Sequence, residues 1–352
     1  MGRVLARLGI VFTAAAAVVA GAFLWGTARF VQPGPLAAPT TVIVPRGAGL
    51  EEIAALLARE GVIDEPLLFT MAVRFSGGDR SLKAGEYAVP ARIDGRHVMG
   101  LLQSGKTVVR RLTVVEGLTS PQVLARIAAT EGLVGPLPES PGDGRMLPET
   151  YHFSYGDTRL DVVARMVRAM DGTLDELWTK RAPGLPFDTV EEALVLASII
   201  EKETARHDER ARIAAVFVNR MEKGMRLQSD PTVAYALAGG AGPLDRPLTR
   251  ADLEIEHPYN TYVIDGLPPG PITNPGRASI AAALNPAPTN DLYFVADGSG
   301  GHVFAETLEE HNRNVVRWRQ IRRRSREAGG TGAAESPPGS SGSSQDGASA
   351  SP

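Results

Sequence analysis

An uncharged apolar run, Leu8 to Trp25, opens this chain and narrows its possible folds more than any other feature. As a helix rising about 1.5 Å per residue it spans about 27 Å, close to the ~30 Å hydrocarbon core of a bilayer. Arg3 and Arg7 precede the run and Arg29 follows it. A cleaved leader would have a shorter apolar core ending at a small-x-small site, but AGA at 20–22 lies inside the run, so an uncleaved anchor is the better reading. The basic residues ahead of it favour the cytoplasmic side and send the rest of the chain outward, with Trp25 at the interface where aromatic side chains collect. Residues 1–30 are therefore read as a cytoplasmic N-terminus and a single transmembrane anchor, the span running over about 8–25.

Beyond the anchor the pattern breaks into short elements. VQPGPLAAPT (31–40) is an extended linker. From 41 to 115, TTVIV is strand-like, and LEEIAALLAREG places Leu50, Ile53, Leu56 and Leu57 at helical spacing before Gly61. A helix follows over 65–76, then a strand through Tyr87 and Val89, a helix stopped by Gly105, and a strand in TVVRRLTVVEG. Residues 116–144 are read as a connecting helix and loop, and 145–325 as a larger mixed domain. The tail, 326–352, is rich in Gly, Ser, Pro and Ala and carries too little apolar bulk to order itself. The fold class predicted is α+β.

Composition then closes off several chemistries. The chain has no cysteine, which rules out thiol nucleophiles, thiolate metal sites and disulfides. Its six histidines lack a close ligand spacing, so no metal and no cofactor is expected. A net charge of -3 and a pI near 6.1 give no electrostatic case for nucleic acid.

The stretch FDTVEEALVLASIIEKETARH holds the sharpest chemical question. Thr189 and Glu192 have capping-box spacing, with Glu191 and Glu192 complementing the helix dipole. Glu203 continues the apolar stripe Leu196, Ile199, Ile200, whereas Glu201 continues the smaller stripe Leu194, Ala197, Ser198. A carboxyl group at the edge of an apolar surface has its charged form disfavoured and its pKa raised, as a general acid requires. The plainer alternative makes both acids solvated helix-end residues paired with nearby Lys202, Arg206 or Arg210. RLQSDPT (226–232) presents Gln228, Ser229 and Asp230 into a cleft, or else forms a simple helix-to-helix turn. HPYNTYVIDGLPPGPITNPG (257–276) is a long Pro/Gly/Asn loop of the kind that is functional or disordered, and its aromatic and alternating aliphatic residues argue for order.

ASIIEKET (197–204), VFVNRMEKGMRLQSDPTVAYAL (216–237), YNTYVIDGLPPGPITNPG (259–276), AALNPAPTNDLYFVADGSGGHVF (282–304) and HNRNV (311–315), in this order, resemble the endolytic murein transglycosylase family, the YceG-like proteins. LKAGEY and VVEGLTS match upstream, so the resemblance covers about residues 40–325. It implies a single-pass protein of the inner membrane with its catalytic domain outside the cytoplasm. A small LysM-like α+β module (41–115) would precede a mixed α/β YceG-like domain (145–325). The implied reaction cleaves the β-1,4 bond between N-acetylmuramic acid and N-acetylglucosamine in nascent glycan strands, leaves 1,6-anhydromuramyl ends and terminates strand elongation. Glu203 would be the single catalytic residue, first acid and then base, with Gln228, Ser229, Asp230, Asn260, Thr261 and Tyr262 holding substrate. Glu201 would be an uninvolved helix-face residue. Implied partners are peptidoglycan strands and the synthases of elongation and division, with the inner membrane and without nucleic acid. DGRMLPETY departs from the family's usual EGFLFPDTY, which puts a cleft role for Glu149 in doubt. An inactive glycan-binding scaffold and a hydrolase using water are the competing readings.

Overall fold

The structure is a computed structural model and describes residues 2–78 and 81–328. The chain falls into two compact units. One comprises the residues up to Arg111 with Gly132–Val134 and His152–Asp157; the other comprises Leu112–Glu131, Gly135–Tyr151 and the chain from Thr158.

In the first unit, helix α1 (Gly2–Phe30) leads through the Pro/Gly linker to β1 (Thr40–Val44). Its stretch Arg7–Phe30 is, among the described residues, the one helix long and apolar enough to cross a membrane; it is exposed from Arg7 to Trp25, and only its last turn packs on the unit. Then come α2 (Leu50–Arg59), α3 (Pro66–Phe75), β2 (Gly85–Val89) and α4 (Gly95–Ser104). β1 and β2 are antiparallel, pairing Val42 with Tyr87 and Val44 with Gly85. Their alternating inward residues close over Ile53 and Leu57 of α2 and Phe69 and Val73 of α3 to make one core. Helix α4 starts because the Asp94 carboxylate accepts the His97 N–H at 2.9 Å, and it stops at Gly105, whose φ of 69° suits the left-handed cap.

Strand β3 (Arg110–Thr113) pairs with β4 (Thr150–Phe153) where the chain passes from one unit to the other. The second unit continues with α5 (Ser120–Ala128), α6 (Arg159–Trp178), α7 (Val190–Glu203), α8 (Arg210–Glu222) and α9 (Asp230–Ala238). After a 3₁₀ turn at Ala251–Glu254 come α10 (Arg277–Leu284), the antiparallel hairpin β5 (Tyr293–Ala296) and β6 (His302–Ala305), and α11 (Leu308–Ala328). The capping box operates as the sequence predicts: Thr189 Oγ1 accepts the Glu192 N–H at 3.2 Å, and Glu192 Oε2 accepts the Thr189 N–H at 3.0 Å.

Three expectations change. Helix α7 does not bury one stripe: every residue from Ala193 to Ile200 is buried, because α8 and α10 pack against it as well. Residues 116–144, read as a connecting helix and loop, fall within the second unit apart from Gly132–Val134. There Val114 N–H donates to the Glu149 carbonyl, and Asn274 Nδ2 donates to the Leu118 carbonyl and Ser120 Oγ. Helix α11 runs to Ala328, into the tail expected from 326, and the rest of that tail, 329–352, lies outside the described residues.

Candidate active site

Glu203 is the last residue of α7, and Thr204 after it is already extended. The stripe that leads to it, Leu196, Ile199 and Ile200, is wholly buried, and Glu203 is itself only 2 % exposed. Ser229 Oγ donates a 2.5 Å hydrogen bond to Glu203 Oε1, while Oε2 is buried with no hydrogen-bond partner. Burial pushes the Glu203 carboxyl up to about 8; the Ser229 hydrogen bond and the Arg220 charge oppose this, and the Asp230 charge adds to it. At neutral pH the group is therefore a carboxylic acid. With Oε1 accepting from Ser229, Oε2 is the oxygen left to carry a proton.

Ser229 is held by two segments that brace each other. Gln228, with a φ of 52°, takes a left-handed conformation unusual for a side chain of its size. That twist turns its N–H to the Thr261 carbonyl (3.1 Å) and lets Ser229 N–H donate to Thr261 Oγ1 (2.9 Å). Thr232 Oγ1 donates to the Ser229 carbonyl at 2.7 Å and lies 2.9 Å from Thr261 Oγ1. Pro231 fits the first turn of α9, where a missing N–H costs nothing. Next to this knot, Tyr262 Oη donates to Asp230 Oδ1 at 2.5 Å. Burial raises the Asp230 pKa against the lowering effect of that bond, and burial with the neighbouring Asp230 charge raises the Tyr262 hydroxyl.

Of the residues singled out from the sequence, Glu203, Ser229, Asp230, Thr261 and Tyr262 thus come together. Gln228 contributes its backbone turn. Asn260 points its amide inward, donating to the carbonyls of Leu253 and Ile255 at 3.0 and 2.8 Å while its Oδ1 accepts from Tyr262 N–H. It braces the loop, as a fully buried side chain with its polar atoms satisfied must.

Glu201 overturns its sequence reading as an idle helix-face residue. Its side chain is 5 % exposed; Oε2 accepts the Gly276 N–H at 2.8 Å, and Oε1 lies 3.4 Å from Arg210 Nη2. The same guanidinium lies 3.3 Å from Glu116, and a Cβ on Gly276 would sit 1.8 Å from Glu116 Oε1. Burial first, and then the Glu201 charge, raises the Glu116 pKa against the charges of Arg210 and His207. Periodicity along α7 could not reveal this clamp, because its other parts come from α8, the 271–276 loop and the segment after β3.

Arg220 is a second residue that sequence reasoning left without a role. It is fully buried; Nε donates to the Leu292 carbonyl at 2.7 Å and Nη1 to the Leu227 carbonyl at 2.8 Å, just ahead of Gln228. Its guanidinium lies 5.2 Å from the Tyr293 ring centroid, and Nη2 has no hydrogen-bond partner. Burial lowers its pKa, while Tyr293, Tyr262 and Glu203 hold it charged. A buried cation with only neutral ligands and an acid nearby will favour that acid's ionised form once its proton leaves. The visible signal was an arginine in the apolar run AAVFVNR of α8.

A cavity of about 580 Å³ adjoins this cluster, with Asp230, Lys202, Tyr235, Thr119, Gln122 and Ile272 in its wall. That is within the size range of small-ligand sites. Tyr235 is fixed by a 2.7 Å hydrogen bond to Asp143 and by the Tyr259 ring, 4.9 Å away between centroids. Glu149 takes no part in the wall.

Comparison with known proteins bears on this arrangement. The family model described as the YceG-like family matches residues 42–317. An endolytic murein transglycosylase of Bacillus subtilis is 33 % identical over 330 residues, covering 84 % of this chain and 89 % of that protein. One from Streptococcus pneumoniae is 30 % identical over 325 residues, covering 78 % of this chain but 58 % of its own length. A crystal structure of a YceG-like protein from Listeria monocytogenes is 33 % identical, covers 78 % of this chain and 98 % of that one, and superposes with a TM-score of 0.51.

Proposed function

Since this chain belongs to the YceG-like family, we propose that it is a lytic transglycosylase that cuts peptidoglycan strands internally at the muramyl β-1,4 linkage. The observation carrying this reading is the placement of Glu203: buried at the end of α7, with one oxygen satisfied by Ser229 and the other unpartnered, a setting that raises its pKa.

Glu203 Oε2 gives its proton to the glycosidic oxygen as the bond to the muramyl anomeric carbon breaks, and the N-acetylglucosamine side leaves as an alcohol. Positive charge builds on the anomeric carbon. The same sugar's C6 hydroxyl attacks that carbon, forms the 1,6-anhydro ring and returns its proton to the Glu203 carboxylate. The attack is intramolecular, so holding the sugar in the right shape replaces the activation of water. Between the two steps Glu203 is an anion in a buried site, where the Arg220 charge and the Ser229 hydroxyl stabilise it. A hydrolase commonly needs a second carboxylate for water or for the sugar carbon; here Asp230, tied to Tyr262, serves as an acceptor for a substrate N–H or hydroxyl in the cleft.

Three finer assignments belong to the same reading. The β-α-α-β order of the first unit supports a LysM-like glycan-binding module. The apolar Arg7–Phe30 helix, preceded by Arg3, supports a single-pass inner-membrane protein with the remainder outside the cytoplasm. Action on nascent strands would bring the enzyme close to the peptidoglycan synthases of elongation and division.

Mass spectrometry of peptidoglycan digested by the purified full chain tests the reaction. Anhydromuramyl ends are expected, and Glu203→Gln should lower the rate by at least ~100-fold, the usual contribution of a positioned acid. Reducing ends would show that water is the nucleophile, and absence of any cut product would leave a glycan-binding scaffold.

A further inference from the structure

Helix α3 has two apolar faces and only one of them is used. Phe69 and Val73 are buried in the core of the first unit, whereas Leu67, Met71 and Phe75 are 79 %, 54 % and 79 % exposed. Spacing of four places these three along one stripe. Arg74 is the single charged residue among the ten of α3, and it pairs with Glu51. An exposed row of three large apolar side chains marks a binding surface on a water-soluble module.

The position of α3 within its unit identifies the partner. Leu68 of α3 approaches Gly26 of α1 so closely that a Cβ there would lie 3.3 Å from Leu68 Cδ1. Four residues on, the Phe30 and Phe69 rings lie 6.2 Å apart between centroids. Arg29 reaches Asp64 at 3.5 Å, and Gly34 N–H donates to the Ile93 carbonyl at 3.1 Å. The end of α1 is therefore built into the unit. Gly26 directly follows Trp25, the last residue of the apolar run, and so lies at the edge of the hydrocarbon core if α1 spans it. α3, packed at that level, meets the same boundary.

We propose that α3 is an interfacial helix, lying on the outer leaflet with Leu67, Met71 and Phe75 seated among the lipid headgroups and upper acyl chains. The inference rests on α1 being a membrane anchor. It adds that the first unit is held against the bilayer by its own surface as well as by its tether, which fixes how far from the membrane that unit works.

The chain lacks cysteine, so single-cysteine variants each carry one environment-sensitive fluorophore. The full chain, as Met71→Cys, Ala17→Cys or Lys106→Cys, is reconstituted in phosphatidylethanolamine/phosphatidylglycerol vesicles doped with lipids bearing a nitroxide near the headgroup or deep in the acyl chain. All three positions are exposed. The expected result is that the label at 71 is quenched about twofold or more by the shallow nitroxide, at 17 by the deep one, and at 106 by neither, as an interfacial helix beside a spanning one requires. Quenching at 17 without quenching at 71 would overturn the interfacial helix and leave the anchor standing. Equal quenching at 71 and 106 would overturn the assignment of the face. No quenching at 17 would remove the anchor, and the proposal with it.

Discussion

Glu203 holds a proton that a solvated glutamate would have lost, and this ties activity and stability to pH in opposite senses from most carboxylates. Burial moves its pKa from 4.5 in the unfolded chain to about 8 in the folded one. Between those values the folded state binds a proton that the unfolded state lacks, so stability is full below about 4.5 and declines as pH rises through about 8. Glu203→Gln copies the protonated form and escapes that decline. Thermal unfolding should find the two proteins alike at pH 4 and the variant more stable at pH 9, by on the order of a few kcal/mol. Cleavage by the native protein should fall along the same limb, since only the acid form donates. At this scale the apolar stripe only leaned towards Glu203, since α7 is buried all round, and it was the resemblance of ASIIEKET to the family motif that singled the residue out. Arg220 was not readable, and of the partners of Glu201 only the nearby Arg210 was: the rest lie on distant elements, and no local period encodes a backbone carbonyl 72 residues away.

The elements themselves were largely legible. The Thr189–Glu192 box, the Gly105 stop and the TTVIV strand at Thr40–Val44 all follow from local chemistry that acts within a few residues. The turns that build the site were less so, since a left-handed Gln228 obeys no propensity and depends on Thr261 to hold it. Gly276 shows how tightly such a turn is set. With a φ of -76°, it needs no unusual backbone; it needs the absence of a side chain between Glu116 and the helix α10 that it caps. Gly276→Ala should therefore displace Glu116, weaken the hold of Arg210 and Glu201 on this loop, and cost about 1–3 kcal/mol as an overpacked contact does. Chemical denaturation measures that loss. Glu116→Ala in the same background should recover part of it, because the clash is with that carboxylate.

For the molecule as a whole, the single long apolar helix has the larger consequence. Alkaline carbonate should leave the full chain in the membrane pellet, and protease added outside spheroplasts should digest the residues beyond 30, as expected for an anchor with its positive end inside. The mixed α+β character and the YceG-like portion could be read from the order of motifs. The partition of 112–157 between the two units could not, because it depends on which strands pair across the chain rather than on any composition shift.

The unpartnered Oε2 of Glu203 also has a pharmacological side. A sugar mimic carrying a basic nitrogen where the glycosidic oxygen would sit would take the proton without any bond to break, leaving a buried cation beside a buried carboxylate. The Coulomb attraction within such a pair is stronger where water is excluded than at an exposed site, and the inhibitor gains by it to the extent that it exceeds the cost of desolvating the amine. The burial that keeps this acid protonated and able to cut a glycan also makes it a trap for an amine.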